Sequence, residues 1–422
     1  MSRMEPTPDD YGSDPTVQHI LEQLRGSDRS PILVTGEAGT GKSTLVNYIK
    51  NDCDFANTVV LAPTGVAALN VGGQTLHSFF RLPFKIIDEA ALQDQRSNRL
   101  WKKVELVIID EVSMVRADIL DGIDMILRKA QKASLPFGGV RILLVGDFFQ
   151  LPPVIPAHEH AILAQLGYAG PYAYQANVLE NYPPVHFELS KVHRQRDPKF
   201  VNILSDLRVA RNVDTAVMAI NDTCVGPHRA GHTPVLLTAT NAVAERYNRT
   251  GLQDISSAAV AYQGVAKGKF NTSRVTVPEQ LTLKKGARVM AVRNDPMKRW
   301  VNGSLGTVSD LNDTEVFVKF DGNAAIRKIE SVKWEAINYK WSEEDQQMQE
   351  TTTATFEQIP LILAWAVTIH KAQGLTLDDV RIDLGRGAFA MGQSYVALSR
   401  ARTLAGLSLT APIRAADVQS RR

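Results

Sequence analysis

Eight residues, Gly36-Glu37-Ala38-Gly39-Thr40-Gly41-Lys42-Ser43, constrain this chain more than any other stretch. They form a G-x-x-x-x-G-K-S phosphate loop, set between an apolar run at 32–35 and a helix-like run at 44–50. That is the strand-to-helix context in which such a loop acts. Glycines at both ends let the backbone wrap a phosphate chain, turning N–H groups and the positive end of the following helix toward it. Lys42 is expected to reach the β- and γ-phosphates, and Ser43 to place its hydroxyl on Mg²⁺. Nucleotide binding follows; whether its energy serves transport, switching or motion does not follow from the loop alone.

The chain has 422 residues, too many for one ordinary core, so two to four domains are expected. With 44% hydrophobic and 22% charged residues it reads as globular and soluble. Lys and Arg outnumber Asp and Glu by only 47 to 45, so any nucleic-acid surface must be local. Cys53 and Cys224 offer neither a disulfide framework nor zinc spacing, which fits a reducing cytoplasm. Residues 1–15, acidic and Pro-rich, read as a disordered lead-in rather than a secretory signal. The longest apolar stretch, 359–369, is short of the roughly 20 residues a membrane helix needs.

Short apolar runs recur at 32–35, 59–62, 106–109, 142–145 and 185–189, as suits strands buried on both faces. Between them, Val112, Val115, Ile119, Ile123, Ile126 and Ala130 repeat near the helical period. Alternating strands and helices imply an α/β fold with a mostly parallel sheet. Ligands bind where such strands end. One strand end is Asp110-Glu111, where Asp110 can hold Mg²⁺ through water and Glu111 can orient or deprotonate the attacking water. At another, Gly146-Asp147-Phe148-Phe149-Gln150, the Gln150 amide can sense the γ-phosphate. Farther on, Asp197 caps and Pro198 opens a helix, setting Arg194 just before it.

The motifs at 36–44, 62–65 with 75–80, 109–114, 146–154 and 192–198, taken in order, resemble those of superfamily 1B DNA helicases. The resemblance is nearest to the Pif-one (petite integration frequency) family, related to RecD and Dda, and covers about residues 18–409; the chain is read as a bacterial or phage member. The resemblance makes Gln18 the adenine-reading residue, with Gln23 as an alternative. It puts Gly36, Ala38, Gly39, Thr40, Gly41, Lys42, Ser43 and Thr44 around the phosphates, and assigns Pro63, Thr64, Thr75 and His77 to the DNA backbone. The irregular stretch 81–103 resembles the family's wedge insertion, used at single-strand/duplex junctions.

In the second half, apolar runs at 235–240, 361–369 and 380–384 with a helix-like run at 241–252 suggest a second parallel α/β domain without its own phosphate loop. The stretches 368–376 and 393–401 resemble the family's last two motifs. They imply Gly374 near the nucleotide, His370 and Lys371 on single-stranded DNA, and Arg400 with Arg194 as arginine fingers. Residues 295–355 lose helical pattern, and alternating Val316, Val318 and Phe320 before Asp321-Gly322 read as a hairpin. This region resembles the family's SH3-like insertion. Upstream, Lys284, Lys285, Arg288, Arg293, Lys298, Arg299 and Trp300 form a basic-aromatic stretch suited to phosphates and bases.

The resulting expectation is two RecA-like motor domains, one at 16–190 with the wedge at 81–103, the other at 191–294 and 356–422 with the barrel at 295–355. ATP and Mg²⁺ are the cofactors, and single-stranded DNA and its junctions the partners. With only the tail 419–422 after the final motor strand, a bare, monomeric motor is expected, and its 5′-to-3′ direction is implied by resemblance alone. An NTP-gated nucleic-acid-binding protein that does not unwind is the alternative, and a switch ATPase acting on protein partners a more distant one.

Overall fold

A computed structural model of the chain describes residues 14–52, 55, 57–92, 98–195, 197–226, 233–385, 387–388 and 390–419. Thirteen of the fifteen residues expected as lead-in, Cys53, and residues 93–97 of the expected wedge lie outside them. Asp14 and Pro15 are not lead-in: Asp14 caps the helix Pro15–Arg25, its carboxylate accepting from Thr16 and Val17 N–H, with Pro15 in the first turn. The chain divides into two compact units, residues 1–193 with Glu335–Thr353, and residues 194–334 with Ala354–Arg422.

The first unit is built on a six-stranded sheet of β1 (Ile32–Gly36), β2 (Thr58–Ala62), β3 (Gln74–Thr75), β4 (Leu106–Ile109), β5 (Arg141–Val145) and β6 (Val185–Leu189), in the order β3-β2-β4-β5-β1-β6. Every pairing is parallel. Successive side chains on a strand face opposite ways, and the apolar runs exploit this. Leu106 and Ile108 of β4 join the core with the helices Pro15–Arg25 and Lys42–Asp52, while Val107 and Ile109 join the core with the helix Ala117–Gln131. The edge strand β6 departs from the expected double burial: with a neighbour on one side only, it keeps Leu189 buried and exposes His186 and Glu188.

The helix Ala117–Gln131 buries Ile119, Ile123, Ile126 and Ala130 of the expected stripe and also Asp118, Asp121 and Asp124, whereas Val112 and Val115 are buried ahead of it, in a 3-10 turn and the extended residue after it. Each of these carboxylates accepts backbone N–H groups from another segment: Ile87 at Asp118, Asn177 and Val178, which open the helix Asn177–Asn181, at Asp121, and Phe137 at Asp124. Buried carboxylates are tolerated only when satisfied in this way. Residues Glu335–Thr353, expected with the insertion of the second half, pack in the first unit. There Tyr339 is buried against Phe79, its hydroxyl accepting from Val60 N–H at 3.1 Å, and Lys50 pairs with Glu350 at 2.8 Å.

The second unit contains a four-stranded parallel sheet of β7 (Val235–Thr238), β13 (Ala366–Thr368), β14 (Val380–Asp383) and β15 (Leu407–Leu409), ordered β13-β7-β14-β15. It also holds an antiparallel sheet, β11-β10-β9-β8-β12, of β8 (Arg288–Ala291), β9 (Leu305–Leu311), β10 (Val316–Phe320), β11 (Ile326–Ile329) and β12 (Leu361–Leu363). This sheet extends past the expected 295–355 at both ends. The apolar run 361–369 is accordingly two strands in two sheets, β12 and β13, with Ala364 and Trp365 between them. Val316, Val318 and Phe320 face one core with Trp300, and Gly322 takes a φ of 70° in the turn that follows.

Candidate nucleotide and DNA site

The phosphate loop leaves β1 and enters the helix Lys42–Asp52. Gly39 and Gly41 have φ of 88° and 85°, a region L side chains avoid. Lys42 Nζ donates to the carbonyls of Gly36 at 2.7 Å and Glu37 at 2.9 Å, so the ammonium lies within the curve of its own loop. Thr40 Oγ1 donates to Glu37 O, and His193 N–H donates to Gly39 O, tying down the far side of the loop. Ala38 is buried, and Thr44 lies in the helix's first turn. Gln18 sits in the helix Pro15–Arg25, whereas the alternative, Gln23, donates its amide to Asp28.

The end of β4 meets this loop. Ser43 Oγ lies 3.5 Å from Asp110 Oδ2, and Asp110 Oδ1 accepts from Glu111 N–H at 2.9 Å. Burial pushes the Asp110 carboxyl above its ordinary value, opposed by the Glu111 N–H, the charge of Lys42 and the Ser43 hydroxyl. Glu111 itself has a φ of 53°, a strained backbone for glutamate of the kind that clusters at reactive centres. A hydroxyl and a carboxylate from two elements are the oxygen donors Mg²⁺ takes, with phosphate and water completing its shell. From the end of β5, buried Gln150 donates to Asp147 Oδ2 at 3.2 Å. Asp147 also accepts from Phe149 N–H, and so orients the candidate sensor. Its signal was the acidic residue closing a buried strand inside the motif.

Of the residues expected on DNA, Pro63 and Thr64 follow β2, Thr75 closes β3, His77 lies in the helix Leu76–Phe80, and His370 and Lys371 follow β13. Thr64 and Thr75 each cap a short helix, their hydroxyls accepting from Ala67 and Ser78 N–H at 3.2 Å. Pro63 precedes the first of these. His77 is half-buried and stacks on Phe84; burial, with the charge of nearby Arg116, lowers its pKa, favouring the neutral ring. His370 and Lys371 are both exposed.

In the second unit two arginines converge on one loop. Arg194 donates to Gly374 O at 3.0 Å and Ser399 O at 3.3 Å, and buried Arg400 donates to Val396 O and Ser399 Oγ, both at 2.8 Å. Arg400 also approaches the Ala372 and Leu375 carbonyls. Gln195, which sequence reasoning passed over, holds the Ser399 and Ala401 carbonyls at 3.0 Å.

Much of the basic-aromatic stretch is engaged within the fold. Trp300 is buried and stacked on Phe320, Arg299 pairs with Asp295 at 2.7 Å, and Arg288 pairs with Asp321. Lys284 donates to Ile255 O, exposed Lys285 pairs with Asp310, and Arg293 lies over the Trp334 ring. Lys298 is exposed.

The parallel sheet and its loop define an α/β protein of the phosphate-loop class. A family model for PIF1-like helicases matches residues 14–211. The ATP-dependent DNA helicase Pif1 of Bdellovibrio bacteriovorus is 34% identical over 407 residues, 94% of this chain and 87% of that one. The human ATP-dependent DNA helicase PIF1 is 34% identical over 89% of this chain, which spans 57% of the human protein. A crystal structure of Bacteroides Pif1 with ADP-AlF4 superposes with a TM-score of 0.88 at 35% identity, covering 96% of this chain and 94% of that one. The chain belongs to the PIF1-like helicase family. Among the described residues, no helix is long and apolar enough to cross a membrane.

Proposed function

We propose that this protein is an ATP-dependent DNA helicase that moves 5′-to-3′ on single-stranded DNA and opens duplexes at junctions. The observation that carries the reading is the meeting of Ser43 and Asp110 beside the phosphate loop, in a chain whose relatives are named ATP-dependent DNA helicases. Ser43 and Asp110 would hold Mg²⁺, which when bound neutralises charge on the β- and γ-phosphate oxygens. Lys42 would exchange its loop carbonyls for phosphate oxygens. Glu111 would take the proton of the attacking water, with Gln150 positioning that water from its seat on Asp147. Gln18 would read the adenine.

Arg194 and Arg400 are proposed to stabilise charge on the transferring phosphoryl group. Arg194 also holds the Gly374 carbonyl and Arg400 those of Ala372 and Leu375 on either side of it, with Gly374 proposed beside the nucleotide. Pro63, Thr64, Thr75, His77, His370 and Lys371 are proposed to follow the single strand, with small polar groups near phosphates and Lys371 supplying charge. The two parallel sheets are read as RecA-like motors, 81–103 as the wedge and the antiparallel region as the SH3-like insertion, working as a monomer in the cytoplasm. The deciding experiment is ATP-dependent unwinding of duplexes carrying a 5′ or a 3′ single-stranded tail. Opening of the 5′-tailed substrate alone is expected; opening of only the 3′-tailed one reverses the direction, and opening of neither leaves an NTP-gated binding protein.

A further inference from the structure

At 91% exposure Phe84 stands out in the first unit, because the chain on either side of it is firmly held. Leu82 and Ile87 are buried at 4% and 1%. Arg116 donates to the carbonyl of Lys85 at 3.0 Å while pairing with Asp118 and Glu159, and Asp118 accepts the Ile87 N–H at 2.8 Å. Ile87 packs so closely on the helix Ala117–Gln131 that a Cβ on Gly122 would come within 2.5 Å of it. The ring therefore projects from a segment pinned to Arg116 and the helix Ala117–Gln131, which follow the Asp110-Glu111 strand end.

Phe84 also has a partner. Its ring lies parallel to His77, with centroids 4.8 Å apart and planes 5° apart. A ring stacked on one face and still 91% exposed presents its other face to solvent. A flat, rigidly mounted aromatic face beside residues proposed to hold a DNA backbone has the form of a nucleobase platform, since every base offers a π-face and stacking tolerates any sequence.

We infer that Phe84, backed by His77 and mounted on the Arg116–Asp118 pair, stacks on a nucleobase of the single strand. This rests on the DNA-binding reading above and adds to it a contact that charge does not supply. The test is titration of a single-stranded oligonucleotide containing 2-aminopurine into the full-length parent and into Phe84→Ala, Phe84→Leu and Phe84→Trp. Loss of one stacked base should weaken binding about 5- to 100-fold in the alanine and leucine variants and reduce the fluorescence change. Tryptophan should restore both. The salt dependence should keep the parent's slope, because no phosphate contact is removed. ATP hydrolysis without DNA should match the parent in all three. Parent-like affinity in Phe84→Ala overturns the inference, and parent-like affinity in Phe84→Leu assigns the effect to apolar bulk and overturns stacking. A parent that binds no single-stranded DNA overturns the DNA-binding reading itself and the inference with it.

Discussion

At the strand ends of the six-stranded sheet, polar side chains converge on one another: Ser43 faces Asp110, Gln150 leans on Asp147, and Glu111 is held in a strained backbone. Along the stretch at 284–300 of the second unit the polar side chains are as dense, but five of its cations are taken up by their surroundings. Lys284, Lys285, Arg288, Arg293 and Arg299 all have a carbonyl, carboxylate or ring at hand. The contrast separates charge that holds a fold together from charge positioned for a ligand. Burial and convergence distinguish the two, whereas the count of cations does not. Arg400 lies between the extremes, since its guanidinium both anchors the 372–375 loop and is proposed to act on phosphate.

That dual position makes Arg400 the most severe place to break the comparison. Arg400→Lys should leave ATP affinity nearly intact and cut DNA-saturated turnover about 10³- to 10⁵-fold, because lysine cannot reproduce the planar fork. The variant should also melt earlier, having lost bonds to Val396 and Ser399. Reduced stability with undiminished turnover would place Arg400 among the structural cations. Next in size, Glu111→Gln should retain ATP binding and lose about 10²- to 10⁴-fold in turnover, as the amide cannot accept a proton. Equal loss of nucleotide affinity, read by direct titration, would make Glu111 a loop-shaping residue instead.

Asp110 offers a test through stability. Its carboxyl is raised by burial, so the folded chain holds that proton more tightly than the unfolded chain. Its contribution to stability is complete below the ordinary carboxylate value and is lost as pH rises through the raised one. Asp110→Asn removes this loss while keeping the side chain's size. Without nucleotide or divalent cation, the variant should be more stable than the parent at pH 7, and the gap should close on acidification. Denaturant titrations at several pH values would show it, and a parent that is the more stable at pH 7 would reject the buried-charge account.

The sequence exposed the strand ends because glycines and acids interrupt apolar runs there, and a parallel sheet obliges those interruptions to share one edge. Other features were illegible for physical reasons. The run 361–369 is uniformly apolar, and nothing in its period marks Ala364 and Trp365 as the passage from one sheet to another. Residues 335–353 show strand character, but strand character does not name the surface a hairpin packs on. Phe79, Phe80 and Phe84 are identical in chemistry, yet two are buried and one projects into solvent. Nothing in the period of 117–131 marks Asp118, Asp121 and Asp124 as buried, because the N–H groups they accept come from distant segments.

The smallest expected effect comes from the basic stretch, where the comparison says that almost nothing should happen. Arg299 is held by Asp295, whose carboxyl that guanidinium draws below its ordinary value, and it lies 4.8 Å from the centre of the Trp300 ring. If that charge is already satisfied, Arg299→Gln should change single-stranded DNA affinity by no more than about twofold, and the salt dependence should keep its slope. Exposed Lys371 is the control, because removing one true phosphate contact on a single strand should flatten the slope by about 0.7. Both variants replace a cation by the same neutral amide and keep the stem through Cγ, so a difference in slope between them reports charge reaching DNA. Should Arg299→Gln flatten the slope by that amount while Lys371→Gln leaves it unchanged, the DNA track runs along the 284–300 stretch, and local pairing with carboxylates would no longer distinguish structural cations from binding ones in this protein.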